Sequence, residues 1–206
     1  IPYLRSKKAL RDFIAELYES LWPQWLGLKE IPGKSTLNDW MKLFKLQTIR
    51  QLQTILVSNQ KPEILAIDST GIDSWHQSRH YTWRIGMSYI PHTKLNALVD
   101  VATSVILDYT FILKPRHDVL AAKSILRRMK YHHKLILGDG AYDCEELHRI
   151  ARAKKSELFA PLRKSSRTTP KGFFRKKCIE RHPAYGMRNK VESTFHALKA
   201  VHVSAL

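Results

Sequence analysis

Ile64-Leu65-Ala66-Ile67-Asp68, set between Lys61-Pro62 and Ser69-Thr70-Gly71, is an apolar run too short for a lone helix and bounded by turn-forming residues. It reads as a buried strand ending in an acid. Lys134-Leu135-Ile136-Leu137-Gly138-Asp139 repeats the pattern. Between the two, Lys94 to Val101 and Val105 to Leu113 are rich in strand-forming residues and meet at Ala102-Thr103-Ser104, which predicts a hairpin. Asp118 is expected to cap a helix carrying Leu120, Ile125, Leu126 and Met129. A helix from Glu145 to Lys155 and a strand from Glu157 to Leu162 follow. The order β, β-hairpin, α, β, α, β, α predicts an α/β domain, a mixed sheet with helices on its faces.

Upstream, Leu10, Phe13, Ile14, Leu17 and Leu21 recur at three- and four-residue steps, marking one face of a helix from Lys7 to Leu21 that Pro23 ends. Ile31 to Thr36 reads as a turn with Ser35 or Thr36 as N-cap, leading into helices from Leu37 to Phe44 and Thr48 to Val57. Residues 1–60 are therefore expected to form a helical segment, and residues 61–206 the α/β domain. Short basic helices of this kind fit either a helix-turn-helix DNA reader or an extension that only packs on a core.

The 206 residues carry 35 Lys and Arg against 18 Asp and Glu, a formal charge of +17, with 44% hydrophobic residues. A folded protein this basic is expected to bind a polyanion, nucleic acid above all. Cys144 and Cys178 are far apart and without Cys-x-x-Cys companions, so neither a zinc module nor a disulfide framework is indicated. The longest apolar stretch, Leu95 to Leu107, is interrupted by Asp100 and too short to span a bilayer. A cytoplasmic protein without a membrane partner is expected. The start at Ile1 and the stop at Leu206 within a helical pattern read as a fragment, truncated at the C-terminus. No Gly-rich P-loop appears, which argues against a kinase or nucleotide hydrolase.

Asp68 and Asp139 stand at the ends of two strands, and adjacent strands would bring them together. Like charges held close repel and call for a cation, which a divalent metal with oxygen ligands supplies. Each Asp alone could equally start a turn. Near the C-terminus, Tyr185, Arg188, Glu192 and Lys199 follow at spacings that align them on one stripe of a helix with about 3.6 residues per turn. Met187, Val191, Phe195 and Leu198 form an apolar stripe beside it. Glu192 would be a third carboxylate, or the partner of Arg188 in an i, i+4 ion pair.

Tyr, two residues, Arg, three residues, Glu, six residues, Lys is the signature of one group of insertion-sequence transposases, and the chain resembles them at each of these positions. Gly138-Asp139-Gly140-Ala141-Tyr142-Asp143 is similar to their second Asp motif, although Gly140-Ala141 stands where Lys-Gly is usual. The resemblance covers Ile64 to Lys199. It implies an RNase H-like fold in which Asp68, Asp139 and Glu192 form a catalytic, metal-binding triad for two Mg²⁺ or Mn²⁺ ions. Tyr185, Arg188 and Lys199 fall on the family's DNA-contacting positions. The implied activity is cleavage of transposon ends and strand transfer into target double-stranded DNA, by a homodimer on DNA in the prokaryotic nucleoid. A DNA-binding relic without catalysis and a non-transposing nuclease of the same fold are the rival readings.

Other residues have weaker claims. Asp73 and Asp143 lie near proposed ligands without ending an apolar strand, and are expected to be turn or supporting residues. Trp75, His76 and Trp83 could stack on a base or pack in a loop. His132-His133 reads as a solvated helix end. Arg163 to Lys177, basic and without apolar periodicity, is expected to be a loop that tracks a phosphate backbone or is merely solvated.

Overall fold

The computed structural model describes residues 10–43, 45–73, 84, 86, 92–112, 116–130, 132–163 and 170–203. They fall into two compact units, one of residues 1–52 with 198–206 and one of residues 53–197. In the first, α1 (Leu10–Glu19) contacts the short α2 (Trp22–Trp25) and α3 (Lys34–Leu43), and buries Phe13 and Leu17. Pro23 falls inside α2, at a first-turn position where its missing N–H costs nothing. α3 begins before the expected caps, since Leu37 N–H already donates to Gly33 C=O. α4 spans Leu46–Leu56.

The second unit is built on a five-stranded sheet. β1 (Ile64–Asp73), β2 (His92–Asp100) and β3 (Ile106–Ile112) form an antiparallel meander, and β4 (Leu135–Leu137) and β5 (Glu157–Phe159) continue parallel from β1, giving the order β3-β2-β1-β4-β5. The sheet is mixed, as the α/β reading of the sequence expects. The β2–β3 hairpin turns where expected. The buried Asp100 carboxylate accepts from Ala102 N–H at 3.0 Å and from the Thr103 hydroxyl, and Ser104 takes a left-handed φ of 61°.

Side chains alternate across a strand, so β1 sends residues to both layers. Leu65 and Ile67 join Ile136, Leu158 and the apolar face of two helices, α5 (Asp118–Arg128) and α6 (Glu145–Ala153), through Ile125, Leu126, Leu147 and Ala151. Ala66 faces the other way, with Leu95, Ala97 and Val99, under Val191 and Phe195 of α8 (Asn189–Val203). The two other members of the expected apolar stripe, Met187 and Leu198, are exposed. Ion pairs hold α5 in place, Lys94 to Asp118 at 2.6 Å and Arg128 to Asp108 at 2.9 Å. His117 takes the cap position expected of Asp118, which sits in the first turn instead.

Three other expectations are corrected. β1 runs on to Asp73, so Asp68 lies within the strand; its pairing with β2 continues from Asp68↔Ala97 to Asp73↔His92 and keeps the chain extended past the acid. His133 is buried, not solvated, with Nδ1 2.7 Å from Pro62 C=O and its N–H on Ser156 Oγ at 2.9 Å. Burial lowers its ring pKa, consistent with this role as a neutral clamp across the start of the sheet. Within the expected loop from Arg163 to Lys177, Phe173–Lys176 forms a short helix, α7, whose Phe174 and Arg175 N–H groups donate to the Glu145 carboxylate at 3.3 and 3.2 Å. Trp75, His76 and Trp83 lie outside the described residues.

Gly172 precedes α7 with φ of 122°, and a Cβ there would stand 2.3 Å from Glu145 Oε2. Gly172→Ala is therefore expected to cost about 1–3 kcal/mol through backbone strain, with further loss from displacing Glu145. A urea unfolding midpoint unchanged from the parent would contradict this.

Candidate active site

Three separated parts of the chain deliver the three candidate acids. Asp68 sits on β1 two residues after Ala66, on the side of the sheet that α8 covers. Parallel pairing of Ile64 with Leu135 and of Ala66 with Leu137 sets β4 alongside, and the chain reaches Asp139 two residues later. There Asp139 caps the short 3₁₀ turn Gly140–Tyr142, its Oδ1 accepting from Ala141 N–H at 2.8 Å. Asp139 thus fills a turn role. Glu192 lies in the first turn of α8.

Arg188 joins two of them. Its Nη1 donates to Asp68 Oδ2 at 2.8 Å, and its Nη2 donates to Glu192 Oε1. The Asp68 and Arg188 side chains are each 15% exposed, and Glu192 is 56% exposed. Burial pushes the Asp68 carboxyl above its ordinary value, Ser69 N–H and Arg188 oppose that, and the negative charges of Asp139 and Glu192 push it further up. Each of the other two acids is thus near enough to act on Asp68. Among the described residues, no three His, Cys, Asp or Glu side chains are gathered closely enough to hold an ion as they stand. At this site the Arg188 guanidinium lies between Asp68 and Glu192 and pairs with both. The donor set itself, three carboxylates with hard oxygens, suits a divalent ion.

The Tyr–Arg–Glu–Lys stripe is not a single α-helical stripe. Pro183–Arg188 is a 3₁₀ turn, capped by His182 Nδ1 accepting from Ala184 N–H at 3.1 Å, and α8 begins only at Asn189. Pro183 at the start favours this local stop, and Tyr185 lies in the 3₁₀ turn while Glu192 lies in the α-helix. The Tyr185 ring packs edge-on against Phe159 of β5 at 5.5 Å, with the Arg181 guanidinium 5.6 Å from its centre. It anchors the turn that presents Arg188. Lys199 is exposed, on the part of α8 that belongs to the other compact unit.

Residues given no role by the motif reading support the site. Tyr142 is fully buried, and burial followed by the charges of Asp68, Asp118 and Asp139 drives its hydroxyl pKa upward. Gly138 leaves room for it, since a Cβ there would meet Tyr142 Cβ at 3.0 Å. Arg163 clamps the Asp139 turn by donating from Nε to Gly140 C=O and from Nη2 to Ala141 C=O, both at 2.9 Å. Tyr142 was visible in its motif; Arg163 sat in a charge run that gave no hint of a partner. Asp143 is a supporting residue, as expected. Its side chain is 1% exposed and accepts both prongs of the Arg175 guanidinium, at 2.6 and 2.7 Å. Asp73 closes β1.

The family model of the transposase DDE domain matches residues 59–206. The chain belongs to the transposase DDE domain family. Among solved structures, a piggyBac transposase synaptic complex with hairpin DNA is similar to 68% of the chain, at 12% identity and a TM-score of 0.38. The match takes in 32% of that protein's chain, so the residues compared span about a third of its length. No curated protein matches the chain in sequence. Domains of the DDE family use divalent metal ions. No helix among the described residues is long and apolar enough to cross a membrane.

The Asp143–Arg175 pair is expected to make the stability of this DDE domain fall in acid. Burial alone would raise the Asp143 carboxyl, but the Arg175 hydrogen bonds and Arg163 N–H outweigh it and hold the group below its ordinary value. A carboxyl lowered by folding stabilises above its unfolded pKa, and that stability is lost as pH falls through the ordinary carboxylate range toward the folded value. Arg175→Met is expected to destabilise by about 3 kcal/mol near neutral pH, because it strands a buried charge. The deficit should shrink in acid, where the carboxyl protonates, and urea titrations across that pH range would reveal it. A pH-independent deficit would count against the pairing as its source.

Proposed function

We propose that this domain is the catalytic part of a DNA transposase, which cleaves transposon ends and joins them to target double-stranded DNA using Asp68, Asp139 and Glu192. The observation that carries the reading is that one guanidinium, Arg188, pairs with both Asp68 and Glu192, in a chain of the DDE family. Carboxylates concentrated in this way hold hard divalent cations, two Mg²⁺ or Mn²⁺ ions in this reading. Such ions, when bound, supply Lewis acidity to the attacking and departing oxygens of a phosphodiester.

The chain's own residues have separable tasks. Asp68 is held by its place in β1 and by Ser69 N–H, and Asp139 by Ala141 N–H, so two of the three acids are oriented by backbone before any ligand arrives. Glu192, more exposed and on a helix, can adjust. Arg188 and Lys199 are assigned to phosphates beside the cut, and Tyr185 to the same contact through the turn it anchors. The excess positive charge of the chain would draw DNA to the site, with residues 1–60 supplying a further contact and a second copy bridging the paired ends. In this reading the protein works in the cytoplasm, on the DNA of a prokaryotic nucleoid.

The test is strand nicking of DNA carrying the element's own ends, with Mg²⁺ or Mn²⁺, comparing the parent chain with Asp139→Asn. Loss of nicking by more than about a hundredfold is expected. Undiminished nicking would remove Asp139 from the mechanism. With target plasmid added, joined products distinguish a transposase from a plain nuclease.

A further inference from the structure

We infer that Arg188 is a built-in counter-cation that a divalent ion must displace from Asp68 and Glu192, so that metal loading and capture of a DNA phosphate are coupled through this one side chain. The inference rests on the metal and DNA reading above and adds a dependence between the two that the reading does not contain.

Both Asp68 oxygens are engaged. Oδ1 accepts from Ser69 N–H at 2.7 Å and Oδ2 accepts from Arg188 Nη1 at 2.8 Å. The first bond is local to β1, between neighbouring residues. The second ends on a long side chain that can swing away. On Glu192, Oε1 is held by the same guanidinium. An ion held by these acids would compete with Arg188 for Asp68 Oδ2 and Glu192 Oε1, and charge alone would favour exchange, since a doubly charged ion offsets three carboxylates better than one guanidinium does.

Displacement has a cost. A guanidinium does not deprotonate, so Arg188 must leave as a cation and find another anion. It stands immediately before α8, a helix of 15 residues, where the positive end of the helix dipole disfavours a cation without an anionic partner. A phosphodiester supplies that partner, and its two free oxygens match the fork that now grips two carboxylates. DNA that receives the guanidinium therefore lowers the cost of admitting metal. By linkage, metal raises affinity for DNA by the same factor. The carboxylate pairs also keep Arg188 oriented, so its exchange is between two defined sets of partners.

The experiment is a Mn²⁺ titration of the full chain, followed by the paramagnetic signal of free Mn²⁺, without and with short duplex DNA and corrected for Mn²⁺ bound to DNA alone. Arg188→Gln is expected to bind Mn²⁺ roughly ten- to hundredfold more tightly than the parent in the absence of DNA, as loss of two charge-assisted hydrogen bonds implies. DNA should tighten Mn²⁺ binding to the parent and leave Arg188→Gln little changed. Arg188→Lys, which retains a competing cation, should stay near the parent. Equal Mn²⁺ affinity in parent and Arg188→Gln, or an Arg188→Lys that behaves like Arg188→Gln, overturns the inference. In that event, loss of Mn²⁺ binding in Asp139→Asn would leave the triad reading standing. Absence of saturable Mn²⁺ binding in every form overturns both. Should Arg188→Gln fail to fold, the parent still decides, because a Mn²⁺ affinity indifferent to DNA overturns the coupling.

Discussion

Carboxylates drawn from distant parts of a chain repel one another, and a half-buried site can hold them only against a compensating positive charge. In this domain that charge is Arg188, whose two terminal nitrogens reach Asp68 on β1 and Glu192 on α8. The pairing balances the site electrostatically and ties α8 to the central strand. Among the described residues, the hydrogen bonds of the guanidinium are to these two acids.

The remaining acids show how the fold separates fastening from function. Asp100 shapes the β2–β3 turn, Asp108 and Asp118 pin α5, and Asp143 is gripped by Arg175. Each is satisfied by one dedicated partner or by local backbone. Asp68 and Glu192 instead share one guanidinium, and the Asp68 carboxyl is pushed up by burial first and by the charges of Asp139 and Glu192 after it. Around them the support is rigid: Tyr142 fills the space beside Gly138, Arg163 clamps the turn after β4, and Tyr185 locks the turn before α8 onto Phe159. A concavity of about 200 Å³ beside β5, lined by residues including Arg152, Phe159 and Phe174, includes none of the three acids. A site for a polymeric substrate has no need of a deep pocket, since DNA is met along a surface.

Much of the α/β unit was legible because strands and amphipathic helices carry their periods in adjacent residues. Ile64 to Asp68, the hairpin across Ala102 to Ser104, and the helices begun at Asp118 and Glu145 all form close to where patterning puts them. Errors arose where a distant partner overruled a local cue. The polar residues after Asp68 read as the end of β1, but β2 pairs with them and the strand continues. His133 read as solvated, but Pro62 and Ser156 enclose it. The basic run around Arg175 contained a short helix because Glu145, far away in sequence, supplies an anion at its start.

The sequence by itself determined the family, the order of strands and helices, and the identity of the candidate acids, because spacing and residue type are properties of the chain read in line. Which acids share a charge balance was decided only by the tertiary structure. Parallel pairing of β1 with β4 and the docking of Val191 and Phe195 bring remote residues together. Arg188 illustrates the division: its spacing to Glu192 announced one ion pair, while its second partner, Asp68, could be known only once α8 lay across the sheet, since electrostatic interaction depends on distance in space and not on separation along the chain.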